Sequence, residues 1–311
     1  MDIPQHPFTT DEATAWGLSR QRLARLTREG VLVRPFKGVY HPATIPDTLD
    51  LRAECAQRVL SEHMVVADRS AAWLHGVDVL TLPETRLLPR LEVVSTAKLP
   101  TRCAGIHGGE RELCSEEVTQ VRGVPVTTPL RTAVDLACLR GGASALAAVE
   151  ALMRGAHLTR PQLRSQLLRH GGRRGVIQAR TIAEIATPDA ESPGESFLKW
   201  FMIDAGLPPF VQQFSLLLPG FGEVRLDFAL PELKIAAEYD GEEFHGPEQR
   251  HHDETRRGAL VDDGWLVVVA RKDDLSARHR ERWLQQLGSA VRERTPQFRR
   301  TYPPSQPRVR R

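Results

Sequence analysis

Much is missing from this chain of 311 residues, and each absence narrows what it can be. No apolar run approaches the 18 or so residues that a membrane-spanning helix needs, and the N-terminus has no signal-peptide pattern, so the expected compartment is the cytoplasm. The four cysteines, Cys55, Cys103, Cys114 and Cys138, have neither the paired spacing of a zinc site nor a compact disulfide framework. They read most simply as small buried hydrophobes. Net charge is only +3, which excludes a uniform polycation. Lysine is scarce, occurring only at positions 37, 98, 199, 234 and 272, and the remaining basic residues are arginine. Arginine's planar fork holds phosphate oxygens bidentately, although a preference for arginine codons would leave the same bias. A hydrophobic content of 41% and a charged content of 26% are those of a soluble protein, long enough for two or three domains.

What charge there is lies unevenly. In residues 10–41, Thr10 is placed to cap a short helix through Ala15, and Gly17-Leu18 makes a turn. Ser19 caps a second helix, RQRLARLTRE, which Gly30 closes. Leu23 and Leu26 face inward and leave Arg20, Arg22, Arg25 and Arg28 on the remaining surface. The next stretch, VLVRPFKGVYHP, alternates like a hairpin with Arg34 and Lys37 near its tip. From residue 19 to 37 six basic residues stand against one acid, Glu29. A winged helix-turn-helix with a basic second helix and wing is the electrostatic footprint of a double-stranded DNA binder, with Arg20, Arg22, Arg25, Arg34 and Lys37 as the contacts. A solvated helix packed beside the next domain would carry the same residues. This segment resembles the N-terminal domain of the abortive-infection (AbiEi) type IV antitoxins, and the resemblance implies DNA binding, repression of the chain's own operon and a toxin or other protein partner.

The middle of the chain is mixed α/β. Helical patterns occupy 50–62 and SAAWLHG, and LEVVS (91–95) reads as a buried strand. In GVPVTTPLRTAVDLA, Thr128 caps a helix with Pro129 at its first position, and Arg131 and Asp135 stand four apart as a local salt bridge. The antitoxin resemblance extends to about residue 155. No catalytic constellation emerges in this region, and HGGRRG (170–175) reads as a flexible basic loop.

TPDAESPG (187–194) is the clearest linker, ending in a capping box, Ser192 to Glu195, that opens the helix ESFLKWFMIDAG. Beyond it, EVRLDFALPELKIAAEYDGEEFH splits into two strands around Pro231-Glu232. Paired as a hairpin, they place Asp227, Glu238 and Asp240 on one face. Like charges about 4 Å apart repel by roughly 4 kcal/mol at an effective dielectric near 20, so a neutralising partner is expected. A divalent cation with oxygen ligands would serve, and so would Arg225 on the same face.

An Asp on one strand, Glu-x-Asp-Gly on the next and then His245 resemble the very-short-patch-repair branch of the PD-(D/E)xK nucleases. The likeness continues through Asp253, Arg256, Leu260, Gly264-Trp265 and LVVVA, covering about 191–290. It implies a restriction-endonuclease-like α/β/α domain that hydrolyses DNA with Mg²⁺ or Mn²⁺. It implies Asp227, Glu238 and Asp240 as metal ligands, His245 as a proton-transfer group and Glu195 as a helix-borne carboxylate of the site. Asp253 and Arg256 would orient these groups or touch a phosphate. Where the common pattern ends in Glu-x-Lys this chain has Asp240, and Arg271 or Lys272 could supply the missing positive charge. The expected organisation is therefore a multi-domain α/β protein: a winged helix-turn-helix over 1–45, an antitoxin-like middle domain over 46–186, a nuclease-like domain over 187–293 and a basic tail over 294–311. The leading functional expectation is an endonuclease, and the alternative is a non-catalytic antitoxin-like repressor on a degenerate nuclease fold.

Overall fold

The structure is a computed structural model that describes residues 3–79, 90–97, 106–139, 141–241 and 247–295, with backbone only over 247–254. It forms two compact units, residues 1–200 and 201–311.

The N-terminal unit begins with a three-stranded sheet and two helices. Strand β1 (Phe8–Thr9) leads into helix α1 (Thr10–Ala15), and Ser19 opens helix α2 (Arg20–Arg28), accepting from the Arg22 N–H at 3.2 Å. The cap of α1 is Thr9, not Thr10: Thr9 Oγ1 accepts from Glu12 N while Glu12 accepts from Thr9 N, a reciprocal box centred one residue earlier than expected. Gly30, at φ 70°, ends α2 in the left-handed conformation that glycine adopts without strain. Strands β2 (Leu32–Phe36) and β3 (Val39–Pro42) form the hairpin, and β3 lies between β1 and β2. Phe8, Ala13, Leu18, Leu23, Leu32 and Tyr40 make the core of this module. Phe36 and Val39 instead join the next core, with Leu51, Met64, Leu74 and Leu91, so packing runs across residue 45 without a break.

That second core lies on a mixed five-stranded sheet ordered β6-β5-β4-β8-β7, built from β4 (Met64–Val66), β5 (Leu91–Ser95), β6 (Ile106–Glu110), β7 (Val118–Val121) and β8 (Val124–Thr127). Helices α3 (Leu49–Gln57) and α4 (Asp68–Leu74) accompany it. Four further helices, α5 (Pro129–Leu139), α6 (Gly142–Ala156), α7 (Arg160–Leu168) and α8 (Val176–Ile185), enclose a third core around Leu136, Leu146, Leu152, Leu163 and Ile182. HGGRRG holds its place in this packing: Gly175, at φ 82°, lies where an added Cβ would come within 2.0 Å of the Cys138 carbonyl oxygen. Helix α9 (Pro193–Asp204) opens at the end of the 187–194 segment and buries Leu198 and Met202.

In the C-terminal unit, strands β9 (Val211–Leu218), β10 (Gly222–Leu230), β11 (Ile235–Asp240) and β12 (Leu266–Arg271) form a sheet ordered β12-β11-β10-β9. The first three strands are antiparallel neighbours. β12 runs parallel to β11, reached through helix α10 (Pro247–Asp262), as a parallel pair requires a long crossover. Leu218, Val224, Leu226, Leu260 and Trp265 pack a core beside the sheet, and helix α11 (Arg280–Arg294) follows, burying Trp283 and Leu287. The expectation of several mixed α/β domains therefore holds.

Candidate functional site

Three groups of charged residues stand out, two in the N-terminal unit and one in the C-terminal unit.

The first is the outer surface of α2. Leu23 is fully buried, and the helical period then turns Arg20, Gln21, Arg22, Arg25 and Arg28 outward, where they line the open side of the helix. Glu29 pairs loosely with Arg25 at 3.7 Å and is the one acid on the helix surface. Lys37 is exposed at the turn of the hairpin, next to Gly38 at φ 90°. Arg34 behaves differently: it is half-buried, with its guanidinium 5.5 Å from the Tyr40 ring centroid. Four of the five expected DNA contacts are thus exposed, while Arg34 is partly engaged in packing.

The second group goes far beyond the one pair legible in the sequence. Arg131 and Asp135 do bridge at 3.0 Å, but both are buried and the bridge is the centre of a network. Arg131 also reaches Glu117 at 2.5 Å, and Glu117 is held by Gln166 as well. Asp135, fully buried, accepts from Arg111 at 2.9 Å and from Arg173. Arg111 in turn clasps Asp68 through both Nη atoms at 2.6 and 2.7 Å. Burial opposes the charge on Arg111, yet Asp68 and Asp135 hold its pKa above the ordinary arginine value. Asp68 adopts a left-handed φ of 53°, an unusual conformation for a non-glycine residue. Beside it Glu92, buried inside the apolar run LEVVS, accepts from the backbone and side chain of Arg69. Asp68, Arg69, Glu92 and Arg111 line a cavity of about 600 Å³. His170, close to Glu117, has its pKa lowered by burial and by the neighbouring Arg131 and Arg173.

The third group is at one end of the C-terminal sheet. The β10–β11 ladder runs from Leu230↔Ile235 to Phe228↔Ala237, and beyond it the Tyr239 N–H is met by the Asp227 carboxylate at 2.8 Å. Gln213, at φ 49°, lies on β9 between the partners of Leu226 and Phe228, level with Asp227. Asp227, Glu238 and Asp240 line one cavity of about 450 Å³ together with Arg225, Arg256 and Arg257. The expected convergence of the three carboxylates on a single site is present. Glu238, however, is buried and gripped by Arg256 through both Nη atoms, at 2.7 and 2.8 Å. Asp240 has Arg271 at 3.4 Å and Arg257 at 3.8 Å.

Among the described residues the acids of this arrangement are engaged by protein groups. Both Glu238 oxygens are occupied by a guanidinium, one Asp227 oxygen caps a backbone N–H, and among the described residues no three His, Cys, Asp or Glu side chains are gathered so as to hold a metal ion. Glu195 belongs to the N-terminal unit, where it accepts from Glu191 N and Ser192 Oγ and completes the cap of α9. Lys199 on the same helix reaches buried Glu150 at 2.7 Å, and burial, outweighing Glu150, lowers its pKa. His245 lies outside the described residues, as does Cys103, and of Asp253 only its backbone place in α10 is described. The tail from 296 onward is likewise outside them.

These features define a class of protein: a small basic helix-turn-helix module joined to a larger α/β domain rich in internal ion pairs. Residues 5–42 match the family described as "Transcriptional regulator, AbiEi antitoxin", and residues 64–185 match the "AbiEi antitoxin C-terminal domain". Over 260 residues the chain is 32% identical to "Uncharacterized protein MT2308" and to "Uncharacterized protein Rv2248", both of Mycobacterium tuberculosis (strains CDC 1551 and H37Rv), covering 83% of this chain and 92% of each relative. The chain belongs to the family of these mycobacterial proteins and carries both AbiEi antitoxin domains. Among the described residues no helix is long and apolar enough to cross a membrane.

Proposed function

We propose that this protein is a transcriptional regulator of the AbiEi antitoxin type that binds double-stranded DNA through α2 and the hairpin turn. The observation that carries the reading is the outward set Arg20, Arg22, Arg25 and Arg28 on the helix whose opposite side buries Leu23, with Lys37 at the adjoining turn. A helix of this kind enters the major groove, its N-terminal residues meet base edges, and the wing follows the phosphate backbone. The antitoxin domain that matches 64–185 brings with it a toxin as the expected protein partner. The test is a mobility shift on the DNA upstream of the protein's own reading frame. Wild type should retard it specifically, and Arg25→Gln should weaken the shift; retention of all other DNA equally well would count against a regulator.

A second reading, phosphodiester hydrolysis by the C-terminal unit, has one observation in its favour: Asp227, Glu238 and Asp240 line one cavity. It requires carboxylates that are here engaged by arginines and a backbone amide, and for that reason we place it second. Plasmid nicking with Mn²⁺ by wild type, absent from an identically prepared Glu238→Gln protein, is what would restore it to first place.

A further inference from the structure

The loop HGGRRG and the helices it joins, α7 and α8, belong to the third core and not to the helix-turn-helix. From Arg160 to Ala183 the chain carries six arginines and no acid. Three of the six are engaged within the chain: Arg160 donates to the Ala186 carbonyl, Arg164 pairs with Glu184, and Arg173 reaches Asp135. Arg169, Arg174 and Arg180 are exposed and make no ion pair among the described residues. The inner side of α7 and α8 fills the core with Leu163, Leu167, Ala179 and Ile182. On the outer side the Arg164–Glu184 pair crosses between the two helices. Leu168 lies one turn beyond Arg164, and Ile177 lies two turns before Glu184 with Arg180 between them. Helical spacing therefore puts all of these on the outer side. Leu168 is 80% exposed and Ile177 79%, among the most exposed large hydrophobics of the described chain. A single exposed aliphatic side chain needs no account, but two on one face, rimmed by uncompensated charge, mark an interaction surface.

We propose that the outer face of the α7–α8 hairpin docks an acidic amphipathic helix of a protein partner. The apolar stripe of that helix covers Leu168 and Ile177, and its flanking carboxylates meet Arg169, Arg174 and Arg180. A third helix laid along a helix pair is a packing that side-chain ridges and grooves support. Charge complementarity selects the occupant. A second copy seated face to face would bring the unpaired guanidiniums of both chains together, which like-charge repulsion opposes. Nucleic acid would satisfy the arginines, but its phosphates offer nothing to the two aliphatic side chains between them. A lipid surface would take up both kinds of group, yet two side chains bury too little for stable anchoring. The inference concerns α7 and α8 alone and stands whether or not α2 binds DNA.

The experiment titrates the full chain into two labelled synthetic peptides of about 20 residues, one with leucines at helical spacing and glutamates elsewhere, the other of the same composition in scrambled order. Wild type should bind the first saturably and the second about tenfold more weakly or less. Leu168→Ser/Ile177→Ser and, separately, Arg169→Gln/Arg174→Gln/Arg180→Gln should each lower the affinity for the first peptide about tenfold, and only the arginine set should flatten its salt dependence. All five side chains are exposed, so the unfolding midpoints of both variants should match wild type. Arg20→Gln/Arg22→Gln/Arg25→Gln should leave peptide affinity within about twofold, which separates this surface from the DNA-binding one. Amide hydrogen exchange should slow over residues 160–185 when the peptide is bound. No binding of the amphipathic peptide, equal binding of the scrambled one, or loss of binding on the α2 substitutions in place of these would each overturn the assignment. So would binding of duplex DNA or anionic vesicles that falls with Leu168→Ser/Ile177→Ser while the peptide does not bind.

Discussion

The Arg256 guanidinium holds the Glu238 carboxylate edge to edge, with Nη–oxygen distances of 2.7 and 2.8 Å, and the pair joins helix α10 to strand β11. One of the three carboxylates for which the sequence suggests a divalent cation is thereby paired within the protein. Arg225, the other partner suggested by the sequence, lines the same cavity, but Glu238 is held by an arginine that comes later in the chain, on α10.

That pairing reverses one expectation. Three acids on a shared face imply that Glu238→Gln relieves repulsion. With Arg256 in place the substitution instead takes the Glu238 carboxylate away from a mostly buried guanidinium, and should destabilise the C-terminal unit by about 1.5–3 kcal/mol. Urea unfolding monitored at Trp265 or Trp283 fluorescence checks this, and a midpoint equal to or above that of wild type would show that the pair contributes nothing.

Divalent ions should do little. If arginines and the Tyr239 amide satisfy the acids, millimolar Mg²⁺ or Mn²⁺ should leave the melting temperature within about 1 °C, because only a ligand that prefers the folded state stabilises it. Differential scanning calorimetry with and without the ion decides the matter. A shift of several degrees that Asp227→Asn removes would establish a metal site.

Gly175 offers a prediction about the N-terminal unit. Its φ of 82° and the 2.0 Å approach that a Cβ would make to the Cys138 carbonyl combine two separate costs, one conformational and one steric. Gly175→Ala should cost more than about 3 kcal/mol, or prevent folding, whereas Gly171→Ala nearby has open space and a permitted backbone and should cost under about 1 kcal/mol. Thermal unfolding of the two variants beside wild type makes the comparison, and equal losses would show that the fit around Gly175 is loose.

His170 gives a pH dependence whose sign can be stated. Burial and then Arg131 and Arg173 lower its pKa in the folded state, so the folded protein favours the neutral ring. Above the ordinary value of about 6.5 the ring is neutral folded or unfolded, and stability is unaffected. As pH falls through about 6.5 the unfolded chain takes up a proton first, and stability declines until the folded value is passed. His170→Gln should flatten the decline that begins below about pH 6.5 relative to wild type. Parallel curves for the two proteins would show that the ring's surroundings do not disfavour its charge.

How much of the fold and site is legible in the sequence depends on how far apart the determinants lie along the chain. The helix-turn-helix can be read because its determinants are local: Ser19 as cap, Gly30 as stop, and the spacing that buries Leu23. The C-terminal strands can be read because period-two alternation surrounds a visible break at Pro231. The ion network of the middle domain cannot, apart from Arg131 and Asp135. Its other members, Asp68, Arg111, Glu117 and Arg173, come from separate elements, and no periodicity links them. Glu92 offers a faint signal, being one acid within an apolar strand, which calls for a buried partner. Arg256 stands out in the sequence, but as a group that would orient metal ligands or touch a phosphate. Its actual partner depends on how α10 lies along the sheet, which no local pattern encodes. The expected division at residue 45 follows the composition, while Phe36 and Val39 carry the packing across it. Removing residues 1–45 would therefore open the second core, and point substitutions are the cleaner probe.

The central claim is that the open arginine surface of α2 binds duplex DNA. It is tested most directly by the affinity of the full chain for a duplex from its own upstream region, titrated from low to physiological salt, for wild type and for Arg20→Gln/Arg22→Gln/Arg25→Gln. These side chains lie on the exposed side of the helix, so folding should be unaffected. Wild type should bind with a steep log–log salt dependence. The triple variant should bind at least tenfold more weakly at low salt, with a slope shallower by about 0.9 for each phosphate left unneutralised. Equal affinity and equal slope for the two proteins would contradict the claim and leave α2 as a solvated helix.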